Sequence, residues 1–462
     1  MTTKAIIKFA NHSRIEKDVQ LKSFIENSNG GFSTVLLDGS IYAIIKPFKK
    51  GKNTYEEVRK IAGSIARELS ARKVDSALIE GVTLESGLPE LDKGKAVSAF
   101  VEGWELGSYQ FLTYKSDKKP FRTELELAGF DDVKPSLIEG NIRAQAVAFS
   151  RDLMNEVPNV LNPETFPEVL EETFKDAGVE INVFRKSKLE EMEMHGVLSV
   201  CRGSKYEPAF VEIIYRGDET KPLVALVGKG VTFDTGGISL KSGRDLSDMR
   251  MDMGGAAAVA GAMKILVESK AKVNVAALIP IVENMPDNLS LLPSEIIRYK
   301  NGLTVQVGNT DAEGRLILAD GLIRAGELNA EYIVNIATLT GAIANALGSK
   351  IAGVFGDEEL AVEMKNIGAE NGDHVWPMPL VDAYDSYLNS DYADISNIGS
   401  KGEAGSITAG LFLRRFVPKT AKWLHVDMAG VMASSQATGY YPKSATGYGA
   451  RLLADYTTYV SK

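Results

Sequence analysis

The chain has 462 residues, 44% of them hydrophobic and 24% charged, with a formal net charge of −9. Such a length calls for two or three domains, and the composition is that of a soluble globular protein. The single cysteine, Cys201, excludes an internal disulfide framework and fits a reducing, cytoplasmic setting; four histidines at 12, 195, 374 and 425 lack ligand-like spacing, which argues against a histidine-rich zinc centre.

The N-terminus reads Met-Thr-Thr-Lys without an apolar stretch behind it, so no signal peptide is expected. Short apolar runs at 33–37, 42–45 and 97–100 alternate with a helical pattern over 55–72, which predicts a small α/β domain across residues 1–130. That stretch carries 20 Lys and Arg against 17 Asp and Glu, or +3, leaving −12 for the remainder. A local cluster of Lys46, Lys49, Lys50 and Lys52 contributes, and a solvated loop is its plainest reading. Residues 131–158 read as a linker helix that stops at Pro158, with Asn162 available to cap the next helix. From there to 462 strand and helix patterns alternate. The apolar, β-branched runs 223–227, 273–281, 332–336 and 423–426 predict buried parallel strands of a larger α/β domain with a mostly parallel central sheet. The longest mostly apolar run, 254–267, is short and broken by Lys264, so no membrane span is predicted.

Three segments carry the chemistry. The first, 228–237, is Gly-Lys-Gly-Val-Thr-Phe-Asp-Thr-Gly-Gly, with Lys229 just past a predicted strand, where open α/β sheets place their active loops. It has neither the Walker spacing nor G-x-G-x-x-G, and a plain Gly-rich turn would account for it. The second holds Asp252 before a small-residue helical stretch, where an N-cap is the structural alternative. The third, 309–316, is Asn-Thr-Asp-Ala-Glu-Gly-Arg-Leu; here Thr310 and Glu313 fit a capping box as well as a site, and a helix start beside Arg315 would suit a small anion. Carboxylates on separate segments with a lysine among them are what a two-metal hydrolytic site requires. Cys201 reads as a half-buried small residue and His425 as a hydrogen-bonded core histidine.

In order and spacing these residues resemble the leucyl (cytosol) aminopeptidase family of dinuclear metallo-exopeptidases. Residues 309–316 match the family's signature octapeptide in full, and Lys229, Asp234, Lys241 and Asp252 match its other site motifs. Further echoes lie at 155–163, 337–342, 376–380 and 445–452, so the likeness covers about 150–455; residues 1–130 share only length and expected fold. Thr235 departs from the family's usual serine, and His195, Cys201 and Arg202 occupy a stretch usually richer in small residues. None of these removes an expected ligand.

The resemblance implies two divalent ions per subunit, manganese or zinc, with Asp234 and Glu313 bridging them. Lys229 and Asp252 would complete one site and Asp311 the other. It implies Lys241 as the oxyanion-stabilising cation, and Arg315 as the holder of a bicarbonate that acts as general base on a metal-bridged hydroxide. Met249, Asn309, Thr338 and Gly341 would line the substrate pocket. The activity implied is release of leucine and other apolar residues from peptides with a free N-terminus, by a cytoplasmic homohexamer without membrane association. A dinuclear phosphoesterase is the rival enzyme class, though such sites usually add histidines. A DNA-binding role, suggested by the basic run and known of some family members, is opposed by the acidic total. A binding-only pseudoenzyme would need a lost catalytic group, and every expected one is present.

Overall fold

The computed structural model describes residues 3–48, 54–117, 120–243 and 245–462. The chain divides into two units. One comprises Met1–Ala148, Glu370–Gly372 and Ser434–Ser444, the other Phe149–Ala369, Asp373–Ala433 and Ala445–Lys462.

The first unit is built on strands β1 (Lys4–Phe9), β2 (Phe32–Leu37), β3 (Ser40–Ile45), β4 (Ser76–Glu80) and β5 (Glu124–Ala128), ordered β2-β3-β1-β4-β5. Only the β2–β3 pair is antiparallel. Alternate residues Ala5, Ile7 and Phe9 of β1 enter a core shared with Val58, Ile65 and Leu69 of the helix Tyr55–Ala71 and with Val97, Phe100 and Trp104 of the helix Lys93–Gly107. The run 97–100, expected as a strand, therefore lies inside a helix. That helix is buried on nearly all sides from Ala96 to Gly107, and a short apolar run within such a helix shows no period that would separate it from a buried strand. Two returning segments, 370–372 and 434–444, join this unit: the Tyr440 hydroxyl donates to Glu56 at 3.2 Å and Arg67 donates to the Tyr441 carbonyl at 2.9 Å. Of the basic cluster, Lys46 donates to the Ser28 carbonyl, while Lys49, Lys50 and Lys52 lie outside the described residues.

The second unit contains β6 (Glu180–Arg185), β7 (Ala209–Arg216), β8 (Leu223–Gly228), β9 (Gly230–Asp234), β10 (Asn274–Asn284), β11 (Ile296–Arg298), β12 (Thr304–Gln306), β13 (Tyr332–Ala337), β14 (Ala352–Gly356), β15 (Val375–Pro377), β16 (Ile395–Ser396) and β17 (Lys422–Asp427). Its large sheet runs β15-β14-β17-β13-β8-β10-β7-β6, with β9 also pairing β10. The middle, β17-β13-β8-β10, is parallel throughout. Helices cover both faces. Val227 of β8 meets Gly321 of the helix Gly314–Glu327, while the next residue, Gly228, meets Gly255 and Ala256 of the helix Gly254–Glu268. Successive strand residues point to opposite faces, so the sheet is sandwiched, and its runs lack polar alternation because neither face meets water. Each fully buried Val, Leu or Ile contributes roughly 1.5–3 kcal/mol. The small strands β11, β12 and β16 form a separate sheet that leads into the loop at 308–312.

Candidate metal centre

The parallel strands of the middle of the sheet, and β9 beside β10, each end at or next to a polar residue of the candidate site. Lys229 follows β8, Asp234 closes β9, Asn284 closes β10, Thr338 follows β13 and Asp427 closes β17. Strand pairing thus brings together residues up to about two hundred positions apart, at the carboxyl edge where such sheets bind ligands.

The centre is a buried carboxylate cluster. Ligand oxygens of Asp234, Asp252 and Glu313 all lie within 4.8 Å of one another, and the three residues are between 1% and 8% exposed. Lys229 Nζ sits among them, 2.9 Å from Asp252 Oδ1, 2.9 Å from Glu313 Oε1 and 3.1 Å from the Thr338 carbonyl. Lys241 Nζ lies 2.7 Å from Asp234 Oδ2 and also pairs with Asp311. Two backbone features make the packing possible. A Cβ on Gly314 would come within 2.6–2.8 Å of the Lys229 side chain, so only glycine lets that chain lie along the helix start. Gly236, at φ +90°, turns the loop back so that its own N–H donates to Asp234 Oδ1 at 2.9 Å.

Electrostatics follow from burial. Loss of water alone would pull the Lys229 ammonium down, but Asp252, Glu313 and Asp234 outweigh it and hold the group above its ordinary value. Burial lowers Lys241 in the same way, and Asp234 and Glu313 reverse the sign. Burial, reinforced by like charge from Asp234, raises the carboxyls of Asp252, Asp311 and Glu313. The set is short of positive charge. Glu313 Oε2 is buried with no hydrogen-bond partner, and Asp252 Oδ2, though 2.7 Å from Lys229 Nζ, accepts no aligned hydrogen bond. Unsatisfied buried carboxylate oxygens beside an amine fit divalent cations that favour oxygen and nitrogen donors. Asp234, Asp252, Asp311, Glu313 and the Lys229 amine are the residues that could hold them.

The structural alternatives for these motifs do not form. Asp252 caps no helix: the helix Gly254–Glu268 has Met253 at its N-cap, with no side-chain cap bond. Thr310 and Glu313 form no capping box either. Thr310 Oγ1 instead donates to the Gly236 carbonyl at 2.6 Å and accepts from Ser239 N at 2.8 Å, tying the two ligand-bearing loops together.

Of the other expected site residues, Thr338 and Asn309 bond directly to ligand candidates, and Arg315, Met249 and Gly341 lie within three residues of Glu313, Asp252 and Thr338 in the chain. Arg315 is buried, which lowers its guanidinium to about 10; Nη1 donates to the Asn397 carbonyl at 2.9 Å, and Nε has no partner. Thr338 Oγ1 donates to Asp252 Oδ1 at 2.7 Å. Gly341 begins the helix Gly341–Leu347, and a Cβ there would meet nothing within 4 Å. Asn309 Oδ1 accepts from Asp311 N at 2.7 Å, and Met249 lies in the turn Ser247–Met251 just before Asp252.

Sequence reasoning passed over three residues. Asn284 Nδ2 donates to Asp234 Oδ1 at 2.8 Å and to the Thr310 carbonyl at 3.0 Å. Asp427 accepts from the Thr340 hydroxyl at 2.6 Å and from the Leu339 and Thr340 amides, fixing the loop that carries Thr338. Asn397 grips the 308–312 loop. Each is an isolated polar residue at or near a strand end, and no spacing marks it. His425 is a core histidine as expected: Trp423 donates to Asn335 Oδ1, so Asn335 Nδ2 faces His425 Nδ1 at 2.7 Å. Cys201 is 2% exposed, deeper than expected, and burial pushes its thiol up to about 12, which removes it as a nucleophile.

Comparison with known proteins identifies the family. The catalytic-domain model of the cytosol aminopeptidase family matches residues 148–454 and its N-terminal-domain model matches 49–118. The second match extends the likeness into residues 1–130, where the motifs alone had shown only length and expected fold. A probable cytosol aminopeptidase of Persephonella marina is 38% identical over 439 residues, spanning 91% of this chain and 88% of the relative. One from Chlorobium limicola is 40% identical over 418 residues, spanning 86% and 82%. Among solved structures, the bottromycin maturation enzyme BotP in complex with Mn superposes with a TM-score of 0.89 at 29% identity, covering 100% of this chain and 99% of that one. The chain belongs to the cytosol aminopeptidase family and is a metal-dependent aminopeptidase, a hydrolase of peptides.

Proposed function

We propose that this aminopeptidase removes leucine and other apolar residues from peptides with a free N-terminus, using two divalent ions and a bicarbonate. The observation that carries the reading is the buried cluster of Asp234, Asp252 and Glu313 oxygens within 4.8 Å, with Lys229 and Lys241 beside it. Asp234, Asp252, Asp311, Glu313 and the Lys229 amine would hold the ions. Bound there, the ions would polarise the scissile carbonyl, activate water and hold the substrate's free amine. Manganese is supported by the complex of the BotP relative, and the donor set admits zinc equally.

The chain's own residues supply the rest. Lys241, held charged by Asp234 and Glu313, would stabilise the oxyanion as it develops. Arg315 would hold the bicarbonate, which would supply a general base there; its unpartnered Nε supports an anion at that place. Met249, Asn309, Thr338 and Gly341 would line the pocket for the first residue, whose apolar preference rests on Met249 and the open space at Gly341.

Residues 159–462 would carry the chemistry, 131–158 the link, and 1–130 a role in assembly. The proposed assembly is a homohexamer in the cytoplasm. Among the described residues no helix is long and apolar enough to cross a membrane.

Hydrolysis of a leucine anilide by chelator-stripped protein, before and after manganese or zinc, tests the reading. Cleavage that returns with metal and requires both the free amine and Glu313 supports it. Equal cleavage of N-acetylated substrate, or full activity of Glu313→Ala, would sink it. Activity that does not change when bicarbonate is removed, with Arg315→Ala unaffected, would remove that component alone.

A further inference from the structure

We infer that Asn397 is a positioning residue for the metal centre: it sets the loop at 308–312 so that Asp311 and Glu313 stand where ions can be held. The inference rests on the site proposed above.

The loop between β12 and the helix Gly314–Glu327 is irregular backbone next to a buried cluster. Its Gly308 and Asn309 amides and its Asn309 and Ala312 carbonyls lie outside the strand and helix ladders, and a buried backbone polar group left unpaired costs about as much as a lost hydrogen bond. Asn397, fully buried, meets that demand with one planar side chain. Its Oδ1 accepts from Gly308 N at 2.7 Å and from Asn309 N at 3.3 Å. Its Nδ2 donates to the Asn309 carbonyl at 2.7 Å and to the Ala312 carbonyl at 3.2 Å. An amide has two lone pairs and two N–H bonds, and all four are spent on this loop. The main chain of the same residue adds two further ties: its N–H donates to the Gln306 carbonyl at 3.0 Å, and its carbonyl accepts from Arg315 Nη1 at 2.9 Å.

The opposite side of the loop is held independently. Thr310 is bonded to Gly236 and Ser239, and its carbonyl accepts from Asn284. Asp311 and Glu313 thus sit on a loop gripped from both sides, with Asn397 the whole of one grip. Asn397 itself comes from beyond β16, whose parallel pairing with β12 at Val305–Ile395 and Gln306–Ser396 delivers it to the loop. Its side-chain hydrogen bonds go to Gly308, Asn309 and Ala312 and to no carboxylate of the cluster. It acts through Gly308, Asn309 and Ala312.

The test is metal affinity in Asn397→Ala, read by titration of chelator-stripped protein with manganese, beside kcat and KM for a leucine anilide. Thermal unfolding establishes that the variant is folded, and Glu313→Ala is run in parallel. The inference expects affinity to fall 10–100-fold, the range for residues that orient metal ligands. It expects kcat at sub-saturating metal to fall with it, partial recovery in excess manganese, and little change in KM. A residue that only stabilises the fold would lower the unfolding temperature and the active fraction, with unchanged affinity per folded molecule; that result overturns the inference. Should Asn397→Ala not fold, Asn397→Asp carries the same test. It keeps the acceptor facing Gly308 and Asn309 and turns only the two donor contacts into repulsion against carbonyls. Unchanged affinity in the Asn397 variants with Glu313→Ala unable to bind manganese overturns the positioning role alone. Retained manganese binding and activity in Glu313→Ala overturns the site assignment, and the positioning role with it.

Discussion

Both units bury charge, and they do so with opposite balance. In the first, Arg59 Nε donates to Glu102 Oε2 at 2.7 Å, with Arg143 3.8 Å from the same oxygen and Glu56 3.8 Å from Arg59. Two buried carboxylates face two buried guanidinium groups, with the more exposed Lys60 3.5 Å from Glu56. In the second, four carboxylates (Asp234, Asp252, Asp311 and Glu313) face two lysines, and buried oxygens remain without hydrogen bonds. A buried pair that balances is a structural device whose removal leaves an uncompensated charge. A buried cluster with surplus negative charge is relieved by taking up protons or further cations, and the second is the character of a metal centre. Buried charge by itself therefore does not mark an active site; the imbalance does.

The sharpest test of that contrast is Glu313→Ala, or equally Asp234→Ala. Either should abolish most of the activity while the protein stays folded, since a proposed ligand to both ions is lost and mutual repulsion is relieved; circular dichroism and anilide hydrolysis read the two effects. The mirror experiment is Glu102→Ala. It removes one of the two carboxylates that face Arg59 and Arg143, leaves a buried surplus of positive charge and should cost about 3–5 kcal/mol of stability, with kcat per folded molecule unchanged. Loss of catalysis without loss of stability there would break the comparison.

Lys241→Met should lower kcat by about 10²–10³-fold, near 2.7–4 kcal/mol, the size expected for one donor to a developing oxyanion. Metal addition comes next. At 100 times its Kd an ion bound only by the folded chain stabilises by about 2.7 kcal/mol, so manganese should raise the unfolding temperature of wild-type protein and fail to raise that of Glu313→Ala. Least of all should matter Cys201. With its thiol raised to about 12 and its side chain buried, iodoacetamide at pH 8 should leave activity intact. Inactivation without unfolding would show the thiol to be accessible.

Much of the site was legible because metal chemistry constrains residue type and local spacing together. Asp311 and Glu313 are two positions apart on one loop, and Lys229 and Asp234 lie on another, so their chemistry could be read before their positions in space. The parallel strands were legible too, as apolar runs at 223–227, 273–281, 332–336 and 423–426. The helix holding 97–100 was not, since burial on nearly all sides erased the period that separates helix from strand.

The sequence by itself named the candidate donor set, the reaction class implied by the octapeptide at 309–316, and the alternation that makes an α/β sheet. Only the tertiary structure decided how the cluster closes. Thr310 and Asp252 could each have been helix caps, and both instead serve the site because Gly236 and Lys229 reach them first. Asn284, Asn397 and Asp427 carry no motif. Their value lies in meeting particular backbone amides and carbonyls brought near by strand pairing, and a hydrogen bond to a loop 85 residues away leaves no local pattern in the chain.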